Sequence, residues 1–198
     1  MKMKPLIIAL VAGAALAGCA SPPQVAPKPD FELAQYISSA QTAFHLAVYD
    51  RAARFYELAL QRARAMDDSA EIGKQAYNLA ASLLLADRPA DALPYLTEAD
   101  AVFARARSDR GSVSLLRARA LRALGQADAA QLEIQKTVEL PTSREVQCQA
   151  WLLYGQLSCD ATNIEEATKG LSRARSFLTD EARSAGGRRR IGWPDGLT

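Results

Sequence analysis

The 198-residue chain carries one histidine, His45, and three cysteines, Cys19, Cys148 and Cys159. A single imidazole leaves Ser-His or Cys-His nucleophile activation, and a multi-histidine zinc site, almost no material. The patterns GxSxG, HExxH, GxxxxGK and CxxC are missing too. Glu165 and Glu166 are adjacent carboxylates, but neighbours on a helix face apart, so they read as solvated charge rather than an acid-base pair. The chain is therefore expected to be no enzyme and to hold neither cofactor nor metal. Charge of one sign is lacking as well. Lys and Arg number 24 against 22 Asp and Glu, and Lys2 and Lys4 account for the whole difference, so residues 19–198 are formally neutral. Without a basic excess there is no electrostatic footprint for nucleic acid. Runs of β-branched residues are scarce, and apolar positions recur at helical rather than alternating spacing, which predicts an all-α fold.

What is present begins with three zones in order: Lys2 and Lys4, the apolar run Leu6 to Leu16, then small residues ending at Cys19. That order is a secretion signal. As a helix the run rises about 16 Å, well short of a hydrocarbon core of about 30 Å, so a spanning helix is the poorer reading. Leu16-Ala17-Gly18-Cys19 resembles the lipobox of bacterial lipoproteins. The resemblance implies that residues 1–18 are a signal peptide, that Cys19 becomes the acylated N-terminus, and that the lipid bilayer is one partner. Two or more acyl chains make a lasting anchor where one is marginal. Ala20 stands where, in well-studied relatives, aspartate favours the inner membrane, so the resemblance favours the periplasmic face of the outer membrane. Residues 19–32 read as the lipidated cysteine and its linker, in which Pro22, Pro23, Pro27 and Pro29 keep the stretch between Ala20 and Asp30 extended, a spacer of roughly 30 Å at about 3.1 Å per residue.

Residues 33–180 contain four related segments, "YISSAQTAFHLAVYDRAARFYELAL", "AYNLAASLLLADRPADALPYLTEAD", "SLLRARALRALGQADAAQLEIQKTV" and "WLLYGQLSCDATNIEEATKGLSRAR". Aligned, they share small residues at Ala40, Ala80, Ala118 and Gly155, and again at Ala52, Ala92, Ala130 and Ala167. Large apolar residues follow at Tyr56, Leu96, Ile134 and Leu171, then a column of Ala59, Ala99, Thr137 and Ala174. This pattern resembles the tetratricopeptide repeat family, in which small residues sit where two helices cross and larger ones fill the space beside them. Trp151, Tyr154 and Gly155 match the opening signature of that family best, and Gly125 falls at the turn. The resemblance implies an all-α solenoid of about four helix-turn-helix repeats. The alanine column steps by 40, 38 and 37 residues, longer than the usual 34 or so, which longer helices accommodate. Asp68 with Glu71, Thr142 with Glu145 and Thr162 with Glu165 read as helix-start signals. Pro89 suits a first turn, whereas Pro94 falls inside the helix and is expected to disturb it. Cys148 and Cys159 on one helix would stand roughly 16 Å apart, too far for a bridge, so both read as packed small residues.

Such solenoids bind protein segments on a concave face, which in the resembled family is lined by the first helix of each repeat. Steps of three or four residues then place Gln41 and His45, Lys74 and Tyr77, Arg119 and Arg122, and Gln149 and Gln156 on that face. The expectation is a polar groove with a basic centre for a segment of an envelope protein, Arg119 and Arg122 supplying paired donors. The last repeat has no full helix after it. That leaves an apolar edge around Leu171, Phe177 and Leu178 open to self-association, unless a short helix over Thr179 to Ser184 covers it. Residues 181–198, with Arg188, Arg189, Arg190 and Trp193, read as a flexible basic tail. Together these features describe a membrane-anchored periplasmic scaffold or adaptor for assembling or positioning an envelope complex. The alternatives are a subunit of an envelope enzyme and a small-ligand sensor. Replacing Cys19 with alanine is expected to release the protein from the membrane while leaving the helical spectrum of a chain starting near Phe31 unchanged. Intact-mass measurement of the mature protein reads the acylation directly.

Overall fold

The computed structural model describes residues 30–185; Cys19, the signal segment, the proline spacer, Arg188 to Arg190 and Trp193 lie outside the described residues. Among these, eight helices follow one another without a strand: α1 (Phe31–His45), α2 (Tyr49–Ala65), α3 (Ser69–Leu85), α4 (Pro89–Ala106), α5 (Gly111–Ala123), α6 (Ala127–Glu139), α7 (Arg144–Asp160) and α8 (Ile164–Ala185). Each packs on the next, and α3 on α5 and α5 on α7 also touch. The fold is an all-α solenoid of four helix-turn-helix repeats with the first helices on the inner side.

One corner is repeated six times. After α1 the N–H of Ala47 bonds to the Phe44 carbonyl and that of Val48 to the Ala43 carbonyl, and Ala47 has φ 57°. The same two bonds close the turns at Asp67, Asp87, Arg107, Gly125 and Thr162, each with positive φ. This is the Schellman ending, whose left-handed residue is cheapest as glycine. Only Gly125 follows that preference.

The repeat columns meet at the crossings. Ala40, Ala80, Ala118, Ala52, Ala92 and Ala130 are each 0% exposed. The fourth repeat goes further: a methyl group placed on Gly170 would lie 2.8 Å from the Gly155 nitrogen and 3.0 Å from the Trp151 carbonyl oxygen, so α7 and α8 touch backbone to backbone. Tyr56, Leu96 and Ile134 are buried beneath the following repeat, but Leu171, predicted in the same column, is 51% exposed because among the described residues no further helix covers it.

Ion pairs tie the helices laterally. Asp30 caps α1 by accepting from the Leu33 N–H and also receives both Nε and Nη2 of Arg62 on α2, at 3.1 and 2.7 Å. Arg110 grips Asp100 in the same fashion across the α4–α5 corner, at 2.7 and 2.9 Å. Arg117 reaches from α5 to the Leu96 carbonyl on α4 and lies 3.6 Å from buried Glu133 on α6, whose other oxygen accepts from Lys136 at 2.7 Å.

Several sequence expectations need correction. The helix starting after Thr142 is capped by Ser143, which accepts from the Val146 N–H. Asn163, not Thr162, caps α8 through the Glu166 N–H. Thr162 has φ 57°, the left-handed corner geometry, and an N-cap needs extended backbone. Pro94 lies inside α4 as expected, where its ring removes one hydrogen bond in the second turn, and the helix runs on to Ala106. Thr179 to Ser184 form no separate covering helix but continue α8 to Ala185, five residues into the expected tail. Cys148 is buried with its thiol 3.5 Å from the Ala174 carbonyl, whereas Cys159 is exposed rather than packed.

Two measurements follow. Leucine at Ala92 or Ala130 is expected to cost about 1–3 kcal/mol in urea unfolding, since there is no room at either crossing. The second concerns pH. The Arg110 hydrogen bonds hold the Asp100 carboxyl below its ordinary value of 3.8, and burial opposes this only in part. A depressed folded-state value means that the unfolded chain binds more protons in this range, so the contribution is present above about pH 4 and is lost as pH falls through the folded value. Asp100→Asn is expected to lower stability at pH 6 and to flatten its fall between pH 5 and 3, approximate limits set by ordinary aspartate titration.

Candidate protein-binding groove

The inner face is set by the first helices. Because α3, α5 and α7 pack side by side, side chains at three- and four-residue steps along each form parallel stripes. The eight residues expected on this face divide into two hollows and one outlier. Gln41, Lys74 and Tyr77 line a hollow of about 340 Å³ with Ile37, Glu71, Gln75, Asn78 and Phe103. Arg119 and Arg122 line a second, of about 300 Å³, with Ala123, Leu153 and Asp160. Gln149 and Gln156 belong to the second by hydrogen bonding: Arg119 donates to the Gln149 oxygen at 3.0 Å and Arg122 to the Gln156 oxygen at 3.2 Å. His45, the exposed last residue of α1, lines neither.

The basic centre is weaker than sequence alone implies. Arg122 donates through Nε and Nη2 to one Asp160 oxygen, at 3.1 and 3.0 Å, so its charge is matched by α7. Lys74 is held 2.8 Å from Glu71 on its own helix, and this partner raises the ammonium above its ordinary value. Arg119 differs. Its hydrogen-bond partner is a neutral amide, and no carboxylate lies within ion-pair distance of it among the described residues. Its positive charge reaches Tyr77 on α3, where burial raises the phenol and the Arg119 charge opposes that rise.

The first hollow has a different chemistry. Gln75 is 2% exposed; its amide N–H donates to Glu71 at 2.8 Å while its oxygen has no partner. Asn78 and Gln41 stand beside it with side-chain amides free of hydrogen bonds among the described residues. Amides of this kind match a peptide backbone, one donor and one acceptor per residue. Sequence reading missed Asp160, Asn78 and Gln75. The first two extend the stripes they belong to by four residues, from Gln156 and Lys74, so the helical step that located those residues also reaches them. Gln75 gave no such signal, because its exceptional feature is an unpartnered oxygen.

A larger hollow, about 540 Å³, opens on the other side between α2 and α4, floored by Leu79 and Leu83 and rimmed by Arg54, Glu57, Arg64, Arg88 and Asp91. Arg64 is bidentate to Glu98 and Arg88 pairs with Asp91, so most of this rim is internally neutralised.

Fold and groove together define a class: a helical repeat solenoid with a polar inner face. No family model and no curated protein matches the sequence. Among solved structures the chain is similar to the crystal structure of BtubC (BKLC) from P. vanneervenii, with a TM-score of 0.68 and 19% identity over 88% of this chain and 73% of that one. At that identity the likeness is one of fold. No helix among the described residues is long and apolar enough to cross a membrane.

Proposed function

We propose that this chain is a tetratricopeptide-type lipoprotein: a scaffold, tethered through acylated Cys19, that presents its inner face to an extended segment of another envelope protein. The observation that supports it most is the pairing of two complementary hollows on one face. In the first, free amides on Gln41 and Asn78 suit a peptide main chain. In the second, Arg119 carries a charge that no carboxylate of the described chain answers, which suits an acidic side chain of the same segment. The fourth-repeat partners Gln149, Gln156 and Asp160 hold both guanidiniums extended across the groove, so less side-chain freedom is lost on binding. In this reading the proline-rich stretch between Cys19 and Asp30 stands the solenoid away from the lipid.

Arg119→Glu combined with Asn78→Ala is expected to weaken capture of the partner from crosslinked cells by more than about tenfold, the equivalent of 1.4 kcal/mol. Membrane attachment and melting temperature stay near those of the parent, because neither side chain is buried or ion-paired. Arg122 is left in place, since reversing it sets two carboxylates against each other at Asp160 and confuses binding with folding. Undiminished capture by the double variant, with the protein still folded and anchored, refutes the groove reading and turns attention to the hollow between α2 and α4.

A further inference from the structure

The last helix presents the face that every earlier second helix buries. Leu171 occupies the column of Tyr56, Leu96 and Ile134, which the next repeat covers, yet it is 51% exposed, and Ile164 on the same side is 79% exposed. Steps of four, three and four residues put Ile164, Thr168, Leu171 and Arg175 on one stripe of α8, about a quarter turn round the helix from the side formed by buried Ala167, Gly170 and Ala174. Repeat arrays ordinarily end in a polar capping element, because an uncovered apolar face associates. The outer face of the first helix is polar only at its middle, between exposed Phe31 at one end and exposed Leu46 and Val48 at the other. Where α3 buries Leu79 against the preceding repeat, α1 carries Ser39, flanked by exposed Gln35 and Thr42. Copies stacked last repeat to first in register would set Leu171 against that polar middle.

The charges on α8 point to a different arrangement. Its first turn is acidic, with Glu165 beside the stripe, while Arg175 lies in the stripe one turn beyond Leu171. Neither has an ion-pair partner among the described residues. An antiparallel crossing of two α8 helices near Leu171 sets the acidic end of each against the basic stretch of the other; a parallel crossing sets like against like.

We propose that α8 is the seam of a two-fold dimer, in which this stripe packs antiparallel on the same stripe of a second copy, with Leu171 close to the axis and Glu165 of each copy meeting Arg175 of the other. The contact is isologous, so it closes at two copies and builds no filament. It leaves the inner face of both solenoids open and does not depend on what binds there.

The test uses the full chain in cells with Cys159→Ser, which removes the exposed thiol of α7, and with mild oxidation. The parent lacking any new cysteine sets the background. A thiol on the axis meets its copy, and a disulfide needs Cα atoms within about 7 Å, so Leu171→Cys is expected to give a covalent dimer about tenfold more abundant than Arg173→Cys on the far side of α8. Adding Arg175→Glu is expected to suppress that dimer, and Glu165→Arg in the same chain to restore it, which a general effect on folding would not do. Three results overturn the proposal: no dimer from Leu171→Cys, equal yields at positions 171 and 173, or no restoration by the charge exchange. Two others assign the face elsewhere and overturn it equally: an intrachain bridge between Leu171→Cys and Trp193→Cys, which would place the C-terminal residues there, and an adduct of Leu171→Cys with a different protein.

Discussion

Everything in this solenoid rests on how closely two helix backbones approach where they cross. With alanine or glycine at the contact, the axes come near enough for the larger side chains one turn away to be covered from both sides. Ala52 and Ala92 do this for Tyr56 and Leu96; the contact between Gly155 and Gly170 does it without any side chain at all. Van der Waals contact is short in range, so a single methylene at the crossing would separate not one pair of atoms but the whole length of both helices. The lateral ion pairs are secondary. Most are half-exposed, where such pairs contribute about 0–1 kcal/mol, and they set the angle between neighbours already brought together by packing.

The inner face inherits its chemistry from this geometry. Close crossings press the first helices side by side, and their outward stripes become one surface. A guanidinium on α5 then reaches an acceptor on α7, as Arg119 reaches Gln149, although 30 residues of chain separate them. The same proximity neutralises Arg122 through Asp160. One of two arginines a single turn apart is thus spoken for and the other is not, a distinction produced by the neighbouring repeat rather than by their own helix.

The four repeats were legible because small residues recur at fixed spacing and crossings tolerate little else; helix type and order followed from the same columns. Cap positions were less so. At Thr142-Ser143 two adjacent residues both have the right chemistry, and at Thr162-Asn163 the choice turns on a left-handed residue that sequence does not announce. Leu171 fits both the buried column and an open edge, and its exposure among the described residues decides for the edge. In the groove the stripes were readable from helical periodicity, but the charge balance was not: Asp160 and Glu71 were both in plain view, and only the packing of α7 on α5 and the rotamer on α3 show which cations they neutralise.

The corners carry a reserve. Five of the six left-handed residues are Ala47, Asp67, Asp87, Arg107 and Thr162 rather than glycine, and an L-residue in that conformation costs roughly 1–2 kcal/mol, somewhat less for aspartate. Summed over five corners this is comparable with the net stability of a typical domain, about 5–15 kcal/mol. A side chain at a corner also narrows the backbone choices of the unfolded chain, which glycine would widen, so part of the strain is offset before folding begins. The array is therefore stiffened at its joints by residues that resist the turn they make, and its curvature is fixed less by loop chemistry than by the crossings that force those turns to close.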